Sequence, residues 1–116
     1  MPKALSASPN KLLVVVTSLP DIETAKNLGR ALVERNLAAC VQITDGIQSI
    51  YRWKGKVCEE QEVLLSVKTT EDKWSEISTF MQSAHPYDLP EMLAFSPEQY
   101  DQQYSNWVSA EVNSKS

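Results

Sequence analysis

The chain has 116 residues, 42% of them hydrophobic and 22% charged, which suits one globular domain around one core. Its formal net charge is −4 and its Lys and Arg residues form no basic run. That argues against a nucleic-acid partner, because clustered cations supply most of such affinity. No apolar run approaches the roughly 18–20 residues that span a bilayer, so no membrane partner is expected, and the first nine residues lack the apolar centre of a signal peptide. Two cysteines, Cys40 and Cys58, with no CxxC spacing, are too few for a disulfide scaffold and make the cytoplasm the expected compartment.

Residues 1–11 and 113–116 are polar ends, expected as tails around a single domain over 12–112. Leu12-Leu13-Val14-Val15-Val16-Thr17 is a continuous, largely β-branched run and reads as a strand buried on both faces. Pro20, Asp21 and Glu23 mark a helix start. Over 21–36, Ile22, Ala25, Leu28, Ala31 and Leu32 recur at helical spacing, and Asn36 is a plausible stop. Segment 37–53 reads as one long strand. Ala39, Val41 and Ile43 share one face, and beyond Asp45-Gly46, Ile47, Ser49, Tyr51 and Trp53 share one face, with a bulge at Asp45-Gly46. Residues 56–70 pair along it if the chain reverses at Lys54-Gly55. The acidic Glu59-Glu60-Gln61-Glu62 belongs on the exposed far part of that hairpin. Thr69 and Asp72 form a capping signal for a helix reaching about Ala84, with Trp74, Ile77, Met81 and Ala84 on one stripe. Pro86 ends it. Residues 92–95 read as a short strand, and a last helix over roughly 100–112 carries Tyr100, Tyr104, Trp107 and Val108. The order β-α-β-β-α-β plus a helix is an α+β, ferredoxin-like arrangement.

The hairpin is too long for its domain. About 15 residues at ~3.3 Å each extend ~50 Å, against a diameter of roughly 35 Å for a compact chain of this size. The overhang carries Ile47, Ile50, Tyr51, Trp53 and Val57. An isolated ribbon is marginal in water and exposed aromatics associate, so pairing with further copies of the chain is expected. The same register sets Cys58 opposite Tyr51 and Cys40 ~36 Å away along the ribbon, beyond the ~7 Å limit for a disulfide.

Three stretches resemble the CutA family, named for divalent-cation tolerance: 37–41 (LAACV), 49–56 (SIYRWKGK) and 85–91 (HPYDLPE). Val14-Val15-Val16 before Pro20-Asp21, Lys68-Thr69, and Tyr104 with Trp107 fall at the family's spacings, so the match covers about 12–110. The resemblance implies a homotrimer joined through the long hairpins, similar to the PII signalling proteins in architecture. Tyr51, Trp53, Ile50 and Val57 are then interface residues. It also implies a link to copper or another divalent cation. Some members carry Cys where Thr17 stands and His where Ala84 stands, both soft or borderline metal ligands that this chain lacks. Gln42 replaces a common Asn, and Tyr100 a common Gly.

His85, the single histidine, Cys40 and Glu91 are the candidate metal ligands, with Cu(II) as the expected cation. Imidazole and thiolate suit copper. A lone His at a helix end is more often a capping group, and a Cys among apolar residues more often a small hydrophobe. Stable sites generally want three or four ligands, so several chains would have to contribute. No Ser/His/Asp set, phosphate loop or acid/base pair is visible, and glycines 29, 46 and 55 are too far apart for a P-loop, so an enzyme is not expected. Two other readings stand beside a metal-responsive trimer. One is a PII-like module holding a small molecule between subunits, with Arg52, Lys54, Lys56 and Lys68 supplying charge. The other is a trimeric scaffold for partner proteins.

Overall fold

The structure, a computed structural model, describes residues 11–113; of the expected tails, only Lys11 and Asn113 fall within it. Strand β1 is Leu12–Leu19 and helix α1 is Ile22–Glu34. Asp21 caps α1, its side chain accepting from the Thr24 amide at 2.8 Å, so Pro20 precedes the cap instead of opening the helix. Asn36 adopts φ 60° just past the helix, the left-handed stop that Asn tolerates. Strand β2, Cys40–Trp53, and strand β3, Lys56–Thr70, form the long hairpin. Lys54 and Gly55 turn it with φ of 51° and 81°, the two positive values of a type I′ turn. Helix α2 is Trp74–Ala84, strand β4 is Leu93–Phe95 and helix α3 is Gln102–Asn113.

The sheet order is β2-β3-β1-β4, with each neighbouring pair antiparallel. One face is packed by α1 and α2. Leu13, Val15 and Leu19 of β1 and Val63, Leu65 and Val67 of β3 form the core with Leu28 and Leu32 of α1 and Ile77 and Met81 of α2. Gly29 lets α1 close on β2, since a Cβ there would stand 2.9 Å from Val41 Cγ1. Val41 is only half-buried and can yield. Gly29→Ala should therefore stay within about 1 kcal/mol of the parent, crowding offsetting its better helix propensity. Gly29→Val should cost about 1–3 kcal/mol by overpacking. Denaturant midpoints at one fixed protein concentration check both.

The bulge lies where the sequence places it. Thr44 faces Leu64 and Ile47 faces Glu62, so Asp45 and Gly46 together oppose Val63. Gly46 has φ 75°, and its amide donates to Asp45 Oδ1 at 2.8 Å. The extra residue switches the parity of β2. Before it, Val41 and Ile43 face the helices. After it, Ile47, Ser49, Tyr51 and Trp53 share the other face with Glu62, Glu60, Cys58 and Lys56.

Two local readings are corrected. Thr69 does not cap α2. It is fully buried in β3, and its hydroxyl donates to the Leu37 carbonyl at 2.7 Å; Thr70 Oγ1 meets Asp72 instead, and a short 3₁₀ turn, Glu71–Lys73, precedes the helix. The last helix starts at Gln102, not Tyr100, with Asp101 accepting from the Tyr104 amide at 2.9 Å. Its buried face is Ser105, Val108 and Val112, whereas Tyr104 and Trp107 are exposed.

Beyond the Leu19–Val63 pair only β2 and β3 continue. The molecule measures 56 × 29 × 23 Å, so the ribbon projects and does not fold back on its own domain. Its radius of gyration, 15.6 Å, exceeds the ~13 Å of a compact chain of 100 residues.

Candidate functional site

Where the ribbon leaves the body, three parts of the chain converge. Pro86 forces His85 out of the helix, to φ −73° and ψ 135°, and this turns the imidazole onto the end of β1. His85 Nε2 lies 3.0 Å from Thr17 Oγ1 and 3.1 Å from the Ser18 carbonyl. The Tyr87 amide donates to Nδ1 at 3.1 Å. An Nδ1 that accepts carries no proton, so the hydrogen sits on Nε2 and points at the Ser18 oxygen. Burial lowers the His85 pKa from its ordinary 6.5, opposed by the Ser18 hydrogen bond and by the charge of Glu62. The ring is thus held neutral, with both nitrogens engaged.

Tyr87 carries the network outward. Its ring lies 5.2 Å from that of His85, and its phenol donates to Glu62 Oε2 at 2.6 Å. Burial, then the hydrogen bond to Glu62, pushes the phenol pKa upward, so it remains a donor. Glu62 was expected on an exposed acidic run; it is only 8% exposed, because the loop after α2 reaches it just past the end of β1. One step out, the Tyr51 phenol donates to Glu60 Oε1 at 2.7 Å, which, first among its causes, pushes its pKa to about 12. The parity switch at Gly46 makes this possible by setting Tyr51 on the face that carries Glu60 and Glu62.

The three candidate metal ligands are placed apart. Cys40 pairs with Lys68 and points to the sheet face opposite α1, since its neighbour Val41 faces Gly29, and it is close enough to act on the Tyr104 phenol of α3. His85 contacts Thr17, on the helix-covered face. Glu91 is exposed beyond Pro90, and the carboxylate felt at His85 is Glu62. Among the described residues, no group of three or more His, Cys, Asp or Glu is placed to hold a metal ion within one chain. Both cysteines are free thiols, with Cys58 opposite Tyr51 as the hairpin register requires. Thr17 and Ala84 flank the imidazole, Thr17 through space and Ala84 in sequence. Two open grooves, around Arg35 and Phe80 and around Val33 and Val41, contain none of the three candidates.

Sequence reasoning missed the Glu62–Tyr87 and Thr17–His85 contacts. They span 25 and 68 residues, and no local spacing announces them. The one signal was the isolated His-Pro-Tyr block itself.

Residues 13–111 match the family described as CutA1 divalent ion tolerance protein. The chain belongs to that family. It is 42% identical over 95 residues to the divalent-cation tolerance protein CutA of Thermus thermophilus, covering 82% of this chain and 92% of that one. It is also 42% identical to a CutA homolog of Xenopus laevis, covering 84% of this chain but only 64% of the longer relative. Among solved structures, CutA1 from Oryza sativa superposes with a TM-score of 0.87 at 31% identity, covering 94% of this chain and all of that one. The Thermus protein superposes with a TM-score of 0.81 at 41% identity, covering 84% and 94%. The family's α+β fold, with a four-stranded antiparallel sheet and three helices, is therefore the fold of this chain.

Proposed function

We propose that the chain works as a homotrimer in divalent-cation tolerance, with the ribbon as its assembly device and cation binding as a property of the assembly. The observation that carries this is the ribbon's two-sided apolar surface. Ile50 and Val57 are 69% and 62% exposed, Trp53 and Tyr51 43% and 37%. By the register, Tyr51 and Trp53 lie on one face, and Ile50 and Val57 on the other. A two-fold pair of ribbons packed face to face covers one face of each. A closed ring gives every ribbon a neighbour on both sides, and three is the smallest ring. The body points the same way: Leu93 and Phe95 on edge strand β4 are exposed beside half-buried Val14, Val16 and Leu64, an apolar sheet face lacking a helix over this part.

A Cu(II) or other divalent ion would draw on His85, Cys40 and Glu91 from more than one copy, since one chain holds them apart. Ligation by His85 would displace either the Tyr87 amide or the Ser18 carbonyl. The role is binding and not catalysis: the neutral, doubly engaged His85 and the phenols locked as donors are built to hold position.

Light scattering should give three times the 13.0 kDa chain mass, and a 13.0 kDa species at working concentration would end the proposal. Calorimetric titration with Cu(II) should give a stoichiometry tied to the trimer and be lost in His85→Ala. Equal binding by that variant would remove His85 from the ligand set.

A further inference from the structure

The groove around Arg35 and Phe80 encloses about 560 Å³, a volume in the range of small-molecule sites. It runs from the end of α1 along α2. Ser75, Thr79 and Ser83 recur every four residues on α2 and line it together, on one stripe of the helix. The Ser83 hydroxyl donates to the Phe80 carbonyl at 3.3 Å, so Ser75 and Thr79 are the hydroxyls left to donate into the groove. Buried Leu37 and half-buried Phe80 form its apolar wall. The Arg35 guanidinium lies 4.7 Å from the centre of the Phe80 ring. Stacking of this kind steadies the guanidinium and leaves its in-plane donors outside the contact. Among the described residues, no carboxylate comes within 4 Å of Arg35. The acidic side chains nearby are turned to other cations, Glu34 to Arg30 at 4.0 Å and Glu76 to Lys73 at 3.9 Å. Arg35 is therefore the uncompensated charge of the groove, with an apolar wall beside it and hydroxyl donors across from it.

We propose that this groove binds a small organic monocarboxylate, its carboxylate forked on Arg35 and its apolar body against Phe80 and Leu37. A guanidinium matches a carboxylate with two parallel hydrogen bonds, and the hydroxyls of Ser75 and Thr79 can donate to the same oxygens. The surroundings select a single negative charge. Arg35 is the C-cap of α1, where the helix dipole is negative, and Glu76 lines the groove. One cation offsets one anionic charge there, and a dianion such as phosphate meets repulsion from both. The apolar wall selects a ligand with a hydrophobic body over acetate, because covering that wall removes apolar surface from water. All of these residues belong to one chain, so the site needs no partner copy and is independent of the homotrimer reading.

The test is a titration of the full chain with phenylacetate, followed by the shifts of backbone amide resonances. The amides of 35–37 and 75–83 should shift together and saturate, with the millimolar dissociation constant that suits so small a ligand. Acetate, benzyl alcohol and inorganic phosphate lack the body, the charge and the single charge respectively, and each should bind at least about tenfold more weakly. Arg35→Gln should weaken phenylacetate at least about tenfold. Glu76→Gln should tighten it about twofold, by removing a surface repulsion. Lys26→Gln takes the same charge from the first half of α1 and should leave binding unchanged. All three changed residues are exposed, so the fold does not depend on them. The absence of a saturable shift at these amides in the parent chain overturns the site. So does equal binding by Arg35→Gln, or an equal loss in Lys26→Gln, which would make the effect one of net charge. Phosphate or benzyl alcohol binding as tightly as phenylacetate overturns the monocarboxylate as its ligand.

Discussion

Replacing Ile50, Trp53 and Val57 together with Ser will leave a chain that folds but does not assemble. Light scattering should move from the mass of the proposed trimer to the 13.0 kDa of one chain, with circular dichroism keeping the α+β signature of the body. The separation is possible because none of these side chains belongs to the core cluster, which lies on the helix-covered face of the body. They also lie beyond the last β1–β3 pair, Leu19–Val63, where no third strand depends on them. Burying each of these residues in an assembly is worth about 1.5–3 kcal/mol at most. Three of them supply about 5–9 kcal/mol per chain, and about 1.4 kcal/mol is a factor of ten in a dissociation constant. Losing that is enough to dissolve the trimer at micromolar concentration. A variant that keeps the trimer mass would place the assembly contacts on the open sheet face around Leu93 and Phe95 instead. The freed ribbon is marginal as an isolated two-stranded element, and its amides should exchange quickly while those of β1 stay protected.

The ribbon is legible in the sequence because it is written in local chemistry. Within the ribbon, Gly46 takes positive φ at the bulge, and Lys54 and Gly55 take it together at the turn. The alternation of apolar residues on either side of Asp45-Gly46 makes sense only with a bulge between them. Helix ends at Asp21, Asn36 and Pro86 are equally local. What could not be read was set by tertiary partners. Thr69 looks like a cap because Asp72 follows at the right spacing, yet its hydroxyl goes to the Leu37 carbonyl, a buried acceptor that outcompetes the local one. Glu62 looks solvated because Glu59 and Glu60 flank it, yet the loop carrying Tyr87 covers it. Tyr104 and Trp107 are the largest side chains of the last helix, but the helix turns Ser105, Val108 and Val112 inward. The site is less legible than the fold for the same reason: each of its contacts joins residues far apart in sequence.

His85 gives the second large effect, and its sign is fixed by the geometry. Burial depresses its pKa below the ordinary 6.5. As pH falls through 6.5 the unfolded chain takes up a proton that the folded chain still refuses. Over that window the unfolded state binds more protons, so stability declines as pH falls and is at full strength above it. The window closes when pH passes the lower, folded value. Protonation also turns Nδ1 into a donor and breaks its bond from the Tyr87 amide, so the loop that covers Glu62 should loosen together with the loss of stability. This is the single histidine of the chain, which makes the assignment clean. Denaturation midpoints between about pH 7.5 and 5.5, at one protein concentration, should fall for the parent and stay level for His85→Gln, which cannot charge. His85→Ala should lose stability at every pH. It orphans the buried Thr17 hydroxyl and Ser18 carbonyl, at about 1–3 kcal/mol for each group left unpaired. If His85→Gln keeps the parent's pH dependence, the imidazole is not the titrating group, and its neutral, doubly bonded state is refuted. A cation that ligates His85 through Nδ1 displaces the Tyr87 amide, so saturating Cu(II) should raise the mobility of the Tyr87 loop; a loop left unmoved by bound Cu(II) would assign ligation to Nε2 and displacement to the Ser18 carbonyl.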